Sequence, residues 1–187
     1  MRHIIAFSLA CAAFGAAYAG SPATAPASDK TAAPQVAEYL IKNSPAGDTA
    51  LARLKTLVGD WTGTTKEGKS VKVTYRSISN GTCVEESIHS TDAMDMVSVY
   101  CPDRDGVMMT HYCASNNQPR MRTRDSGDGG RMVFTFVDVT NLSDPKAGHM
   151  KNLVMVFDGK DRLSQEWTWS AGGKDATEIF QYQRAAS

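Results

Sequence analysis

The chain has 187 residues, with 20 Lys and Arg against 20 Asp and Glu, so its formal charge is zero. A balanced chain with no basic run lacks the electrostatic footprint of a nucleic-acid partner or an anionic-membrane partner. No segment approaches the roughly 20 consecutive apolar residues that a membrane-spanning helix requires.

Arg2 and His3 precede an apolar run from Ile4 to Gly15, and Ala17-Tyr18-Ala19 stands before Gly20. This is the layout of a secretory signal peptide over residues 1–19, which predicts a periplasmic or secreted protein. A lipid anchor at Cys11 is disfavoured, because Ser8-Leu9-Ala10-Cys11 leaves a short apolar core ahead of it without the usual Leu. Loss of the leader removes Arg2 and leaves 19 basic against 20 acidic side chains. Residues 20–34 are rich in Ala, Pro, Ser and Thr and read as a flexible linker. Residues 35–187 make one domain, long enough to bury about two thirds of the surface that its unfolded chain exposes.

Two helical segments are expected first. Gln35 to Lys42 carries Val36, Tyr39 and Leu40 at helical spacing, and Thr49 to Leu57 aligns Leu51, Leu54 and Leu57 or Val58, with Asp48 as N-cap. Beyond Gly59 the apolar period falls to two, with Gly, Asn and Asp punctuation about every ten residues. Ten strands are predicted: 60–65, 70–79, 82–89, 95–101, 107–113, 119–124, 132–139, 149–157, 162–170 and 176–184. Asn80-Gly81, Asp103-Arg104-Asp105-Gly106, Asp128-Gly129-Gly130 and Asp158-Gly159-Lys160 supply turn chemistry between them. Many short strands joined by tight turns must dispose of their edges, and closing the sheet does so. The predicted fold is all-β: a closed up-and-down antiparallel barrel of about ten strands, preceded by one or two short helices.

Leu57-Val58-Gly59-Asp60-Trp61 at the first strand and Arg184 at the end of the last resemble the G-x-W motif and terminal Arg of the calycin superfamily. Further segments, Met96-Val97-Ser98-Val99-Tyr100, Thr110-His111-Tyr112-Cys113, Asn117-Gln118-Pro119-Arg120-Met121, Gly148-His149-Met150 and Gln165-Glu166-Trp167-Thr168-Trp169, resemble the bacterial lipocalin-like DUF1579-like proteins. The resemblance runs from about Leu54 to Arg184. It implies a structural pair in which Trp61 plugs one barrel end and Arg184 lies across its ring.

Candidate ligand-binding residues cluster around the tract from His111 to Met121. Strand alternation places His111 and Tyr112 on opposite faces, so only one of them lines the interior. Asn117, Gln118 and Arg120 could hold a carboxylate, carbonyl or phosphate head group, or could instead satisfy turn backbone and pin the hairpin. Of Glu85 and Glu86 one must face inward. Glu85 and Glu166, the latter beside Trp167, complete the candidate set, with an internal ion pair to Arg120, Arg122 or Arg76 as the purely structural alternative.

His89, His111, His149 and Cys113 show no paired metal-ligand spacing, so no metal and no cofactor are expected. If the third and fourth strands form a hairpin that pairs Ile88 with Met96, Cys83 falls opposite Cys101. A disulfide there would leave Cys113 free. The functional expectation is a barrel that binds a small, largely apolar ligand with a polar head group. The alternatives are a proton-transfer or hydrolytic cavity enzyme using Glu85, His111 or Tyr112, and a filled barrel acting as an interaction module. Ligand identity and oligomeric state stay open.

Overall fold

A proline in the first turn of a helix loses no hydrogen bond, because that turn's N–H groups have no intrahelical partner. Pro45 opens the helix on this basis in the computed structural model, which describes residues 45–90 and 95–186. Helix α1 spans Pro45–Lys55, earlier than the expected 49–57, and Asp48 sits inside its first turn rather than capping it. Ala50, Leu51 and Leu54 form its buried face, and Leu57 is buried just beyond it while Val58 is 42% exposed. The expected helix over 35–42, the signal peptide and the linker lie outside the described residues.

Ten strands follow: β1 Gly59–Thr64, β2 Ser70–Ile78, β3 Cys83–Ser90, β4 Asp95–Asp103, β5 Gly106–Tyr112, β6 Gln118–Thr123, β7 Arg131–Thr140, β8 His149–Asp158, β9 Arg162–Ala171 and β10 Lys174–Arg184. Each pairs antiparallel with its sequence neighbours, and β1 pairs with β10 to close the barrel. The β2–β3 connection needs three successive left-handed residues, Ser79 (φ 52°), Asn80 (φ 54°) and Gly81 (φ 82°). Asn and Gly tolerate that region best, which is why Asn80-Gly81 was readable as a turn. Where β1 crosses close to β10, Gly63 is required by space: a Cβ there would lie 2.4 Å from the Gln181 carbonyl oxygen.

The barrel has two dissimilar halves. Around α1 the interior is filled by Trp61, Met109, Met121, Phe134, Leu153 and Met155, all essentially inaccessible. Arg184 closes this end. Its guanidinium lies 4.3 Å from the centre of the Trp61 ring and donates to the carbonyl oxygens of Thr56 and Val58 at 2.7 and 2.9 Å. Those carbonyls belong to the turn between α1 and β1, so one side chain stacks on the plug and ties the last strand to that turn. The Trp61 indole donates in turn to the Leu57 carbonyl at 2.7 Å.

Ile88 pairs with Met96 across the β3–β4 hairpin, and Cys83 and Cys101 are joined by a disulfide with Cα atoms 4.5 Å apart. Cys113 is a free thiol. Among the described residues no helix is long and apolar enough to cross a membrane.

Candidate functional site

Strand alternation determines which polar side chains enter the barrel, and it places Glu86, Ser98, His111 and Gln165 inside. Register then brings them together: Tyr75 lies opposite Glu86, Glu86 opposite Ser98, and Ser98 opposite His111. The fully buried Glu86 carboxylate accepts from the Tyr75 hydroxyl (2.6 Å), the Tyr100 hydroxyl (2.7 Å) and the Gln165 amide (2.5 Å). Three donors replace the water lost on burial. Burial first, and then the Glu86 charge, push the Tyr75 and Tyr100 phenols well above the usual tyrosine range, so both remain neutral donors.

Gln165 extends this network to the cavity wall, because its amide oxygen accepts from the Trp167 indole at 3.0 Å. The indole is thereby fixed against the His111 ring, with centroids 4.8 Å apart. His111 Nδ1 lies 3.0 Å from the Ser98 hydroxyl, and burial pushes the imidazole down to about 4, so it is neutral at pH 7. Its Nε2 is buried and has no hydrogen-bond partner among the described residues.

That nitrogen belongs to a residue lining a cavity of about 220 Å³ at the barrel end opposite α1. The walls are largely apolar: Val71, Ile88, Met96, Met150, Phe180 and Tyr182 surround the His111–Trp167 pair. Thr65, Glu67, Lys69, Ser90 and Glu178 line the remainder, with Glu67, Lys69 and Glu178 exposed at the mouth. The Ser90 hydroxyl is a second buried polar atom at the cavity without a partner among the described residues. Desolvation first, and then the neighbouring Glu67 carboxylate, raise the Glu178 carboxyl, while Lys69 acts in the opposite direction.

His111 and Trp167 are the members of the expected set that meet at this cavity. The rest lie elsewhere. Glu85 faces away from the interior and accepts from the Ser87 hydroxyl at 3.1 Å; the inward residue of the pair is Glu86. Tyr112 is 51% exposed on the outer wall. Arg120 is also outside, where its guanidinium forms a fork with the Asp138 carboxylate that raises Arg120 and lowers Asp138 from their usual values. Glu166 lies on the outward phase of β9, between buried Gln165 and Trp167.

Gln118 accepts from the Thr140 hydroxyl at 2.8 Å, and the Asn117 amide donates to the Gly148 carbonyl at 2.9 Å, so this part of the tract pins hairpins. The signals missed in the sequence were the inward phase shared by Tyr75, Glu86, Tyr100 and Gln165, and the Glu178-x-Phe180-x-Tyr182 phase of β10. Both follow from alternation once one inward residue per strand is known.

No family model matches the chain, and no curated protein matches it by sequence. Solved structures do match. The crystal structure of Rv2717c from M. tuberculosis aligns with TM-score 0.57 and 18% identity over 78% of this chain and 100% of that one. The shared fold is a closed, up-and-down antiparallel β-barrel. A DUF3598-family protein of unknown function from Nostoc punctiforme aligns with TM-score 0.49 and 10% identity, over 71% of this chain and 49% of that one. EF1p2_mFAP2b, whose structure contains bound DFHBI, aligns with TM-score 0.39 and 9% identity over 73% and 98% of the two chains.

Proposed function

We propose that this calycin-like barrel is an exported, DUF1579-like protein that holds one small, largely apolar molecule in its open half, with a polar group of the ligand against His111. The observation that carries the reading is the partnerless Nε2 of a buried imidazole on an apolar cavity. An unsatisfied buried polar atom costs about 1–3 kcal/mol, which a ligand hydrogen bond would offset. The cavity, about 220 Å³, falls below the roughly 300 Å³ lower bound of drug-sized pockets, so the ligand is small. A wholly filled barrel would account for the half around α1 and leaves the orphaned nitrogen unexplained.

The catalytic alternative loses its partners, since Glu85 and Tyr112 stand on the outer wall and Glu86 is absent from the cavity lining. Native mass spectrometry of protein purified from its own host is expected to show one small adduct per chain. A chain that carries no adduct, and whose Trp167 emission ignores every ring-sized probe, overturns the reading.

A further inference from the structure

We propose that the cavity selects an uncharged, hydroxyl-bearing molecule of about one ring and turns away carboxylates and other anions. This rests on the cavity reading above and adds the charge class of the ligand. Size sets the first limit: an apolar cavity of about 150 Å³ holds benzene, and this one measures about 220 Å³.

Charge sets the second limit. No arginine lines the cavity, and its one lining cation among the described residues is Lys69, at the mouth with Glu67 and Glu178. An anion would enter past two carboxylates and then lose its water with no cation inside to meet it, a cost that burial makes severe. His111 does not supply the missing charge, because burial keeps its imidazole neutral. Burial first, and then the Glu86 charge, raise the Tyr182 phenol on the same wall, and that charge has the same sign as the excluded ligand.

The hydroxyl follows from the histidine. With Nδ1–H donating to the Ser98 oxygen, Nε2 accepts from a ligand O–H; with the Ser98 hydroxyl donating to Nδ1, Nε2–H donates to a ligand oxygen. A hydroxyl group serves either tautomer. A hydrocarbon serves neither and leaves the nitrogen unsatisfied.

Four para-substituted toluenes test this by calorimetry on the full chain at pH 7: 4-methylphenol, 1,4-dimethylbenzene, 4-methylbenzoate and 4-methylbenzylammonium. The phenol is expected to bind about tenfold more tightly than the hydrocarbon and at least about tenfold more tightly than the benzoate. In His111→Phe the phenol and the hydrocarbon should come within about twofold of each other. Should that variant not fold, the ¹⁵N shift of His111 Nε2 in the unaltered protein is the readout, moving with the phenol and not with the hydrocarbon. Glu67→Gln with Glu178→Gln, both exposed, should strengthen benzoate binding relative to the phenol. Benzoate or ammonium binding as tightly as the phenol, equal phenol and hydrocarbon affinities, or an unmoved Nε2 shift overturns the ligand class while the cavity reading stands. Failure of all four probes to bind overturns both.

Discussion

His111 couples the site to stability through its proton. Its folded value of about 4 lies below the ordinary 6.5, so the unfolded chain takes up the proton first as pH falls. The contribution of the neutral ring is complete above about pH 6.5 and is lost as pH drops towards 4, a swing of about 3 kcal/mol. Urea unfolding of the wild type and His111→Phe across that window should show the excess pH slope in the wild type alone, and parallel slopes would refute the assignment. Glu86 is the second sensitive residue. Glu86→Ala would strand two phenolic hydroxyls and an amide, so a loss of at least about 3 kcal/mol is expected in denaturant melts. Which of Glu85 and Glu86 plays this part was not readable from residue type, since both are carboxylates in adjacent positions of one strand. The decision comes from the phase of β3, which the sequence leaves open by one residue, and one residue exchanges the two faces.

At the scale of elements, the strands were legible because period-two patterning and turn chemistry agree along the whole chain from Gly59. The helix was legible in its apolar face and misplaced at its start, because Pro45 ahead of Asp48 begins the first turn earlier than a capping aspartate would. The tract from His111 to Met121 shows the limit of composition as a guide. Its richness in polar groups reflects a hairpin that must be pinned, with Asn117 tied to Gly148 and Arg120 to Asp138, and of the whole tract only His111 lines the cavity. Two element-level contacts invite direct measurement. Arg184→Ala removes the ring stack on Trp61 and the bonds to the Thr56 and Val58 carbonyls, so thermal stability should fall by about 2–3 kcal/mol while probe binding at the far end persists. An unchanged midpoint would count against the closure role. The Cys83–Cys101 bridge spans 18 positions and should contribute roughly 3 kcal/mol. Thiol titration of the oxidised, denatured chain lacking residues 1–19 should find one thiol, and three would exclude the bond.

At the scale of the whole molecule, closing the sheet removes every strand edge at once, and what remains to be decided is how the enclosed space is used. Here it is divided. Large side chains from all around the barrel meet under α1 and pack to closure, whereas the opposite half is lined by Val71, Ile88, Met96 and Met150, which leave the centre empty. Neither half could be told from the other in the sequence, because methionines and branched aliphatic residues recur through both and volume is a property of how strands face one another. The division predicts opposite responses to size changes. Met109→Ala in the filled half removes a fully buried side chain and should cost about 2–5 kcal/mol, with probe affinity retained in the molecules that remain folded. Ile88→Phe together with Met96→Phe adds volume where there is room, so the stability cost should stay below about 1.5 kcal/mol, the range of tolerated apolar exchanges. Binding of 4-methylphenol should be lost in the same variant. Calorimetry and denaturant melts on the two variants separate the outcomes: if the double substitution destabilises as much as Met109→Ala, the open half is packed core and no cavity exists to be filled.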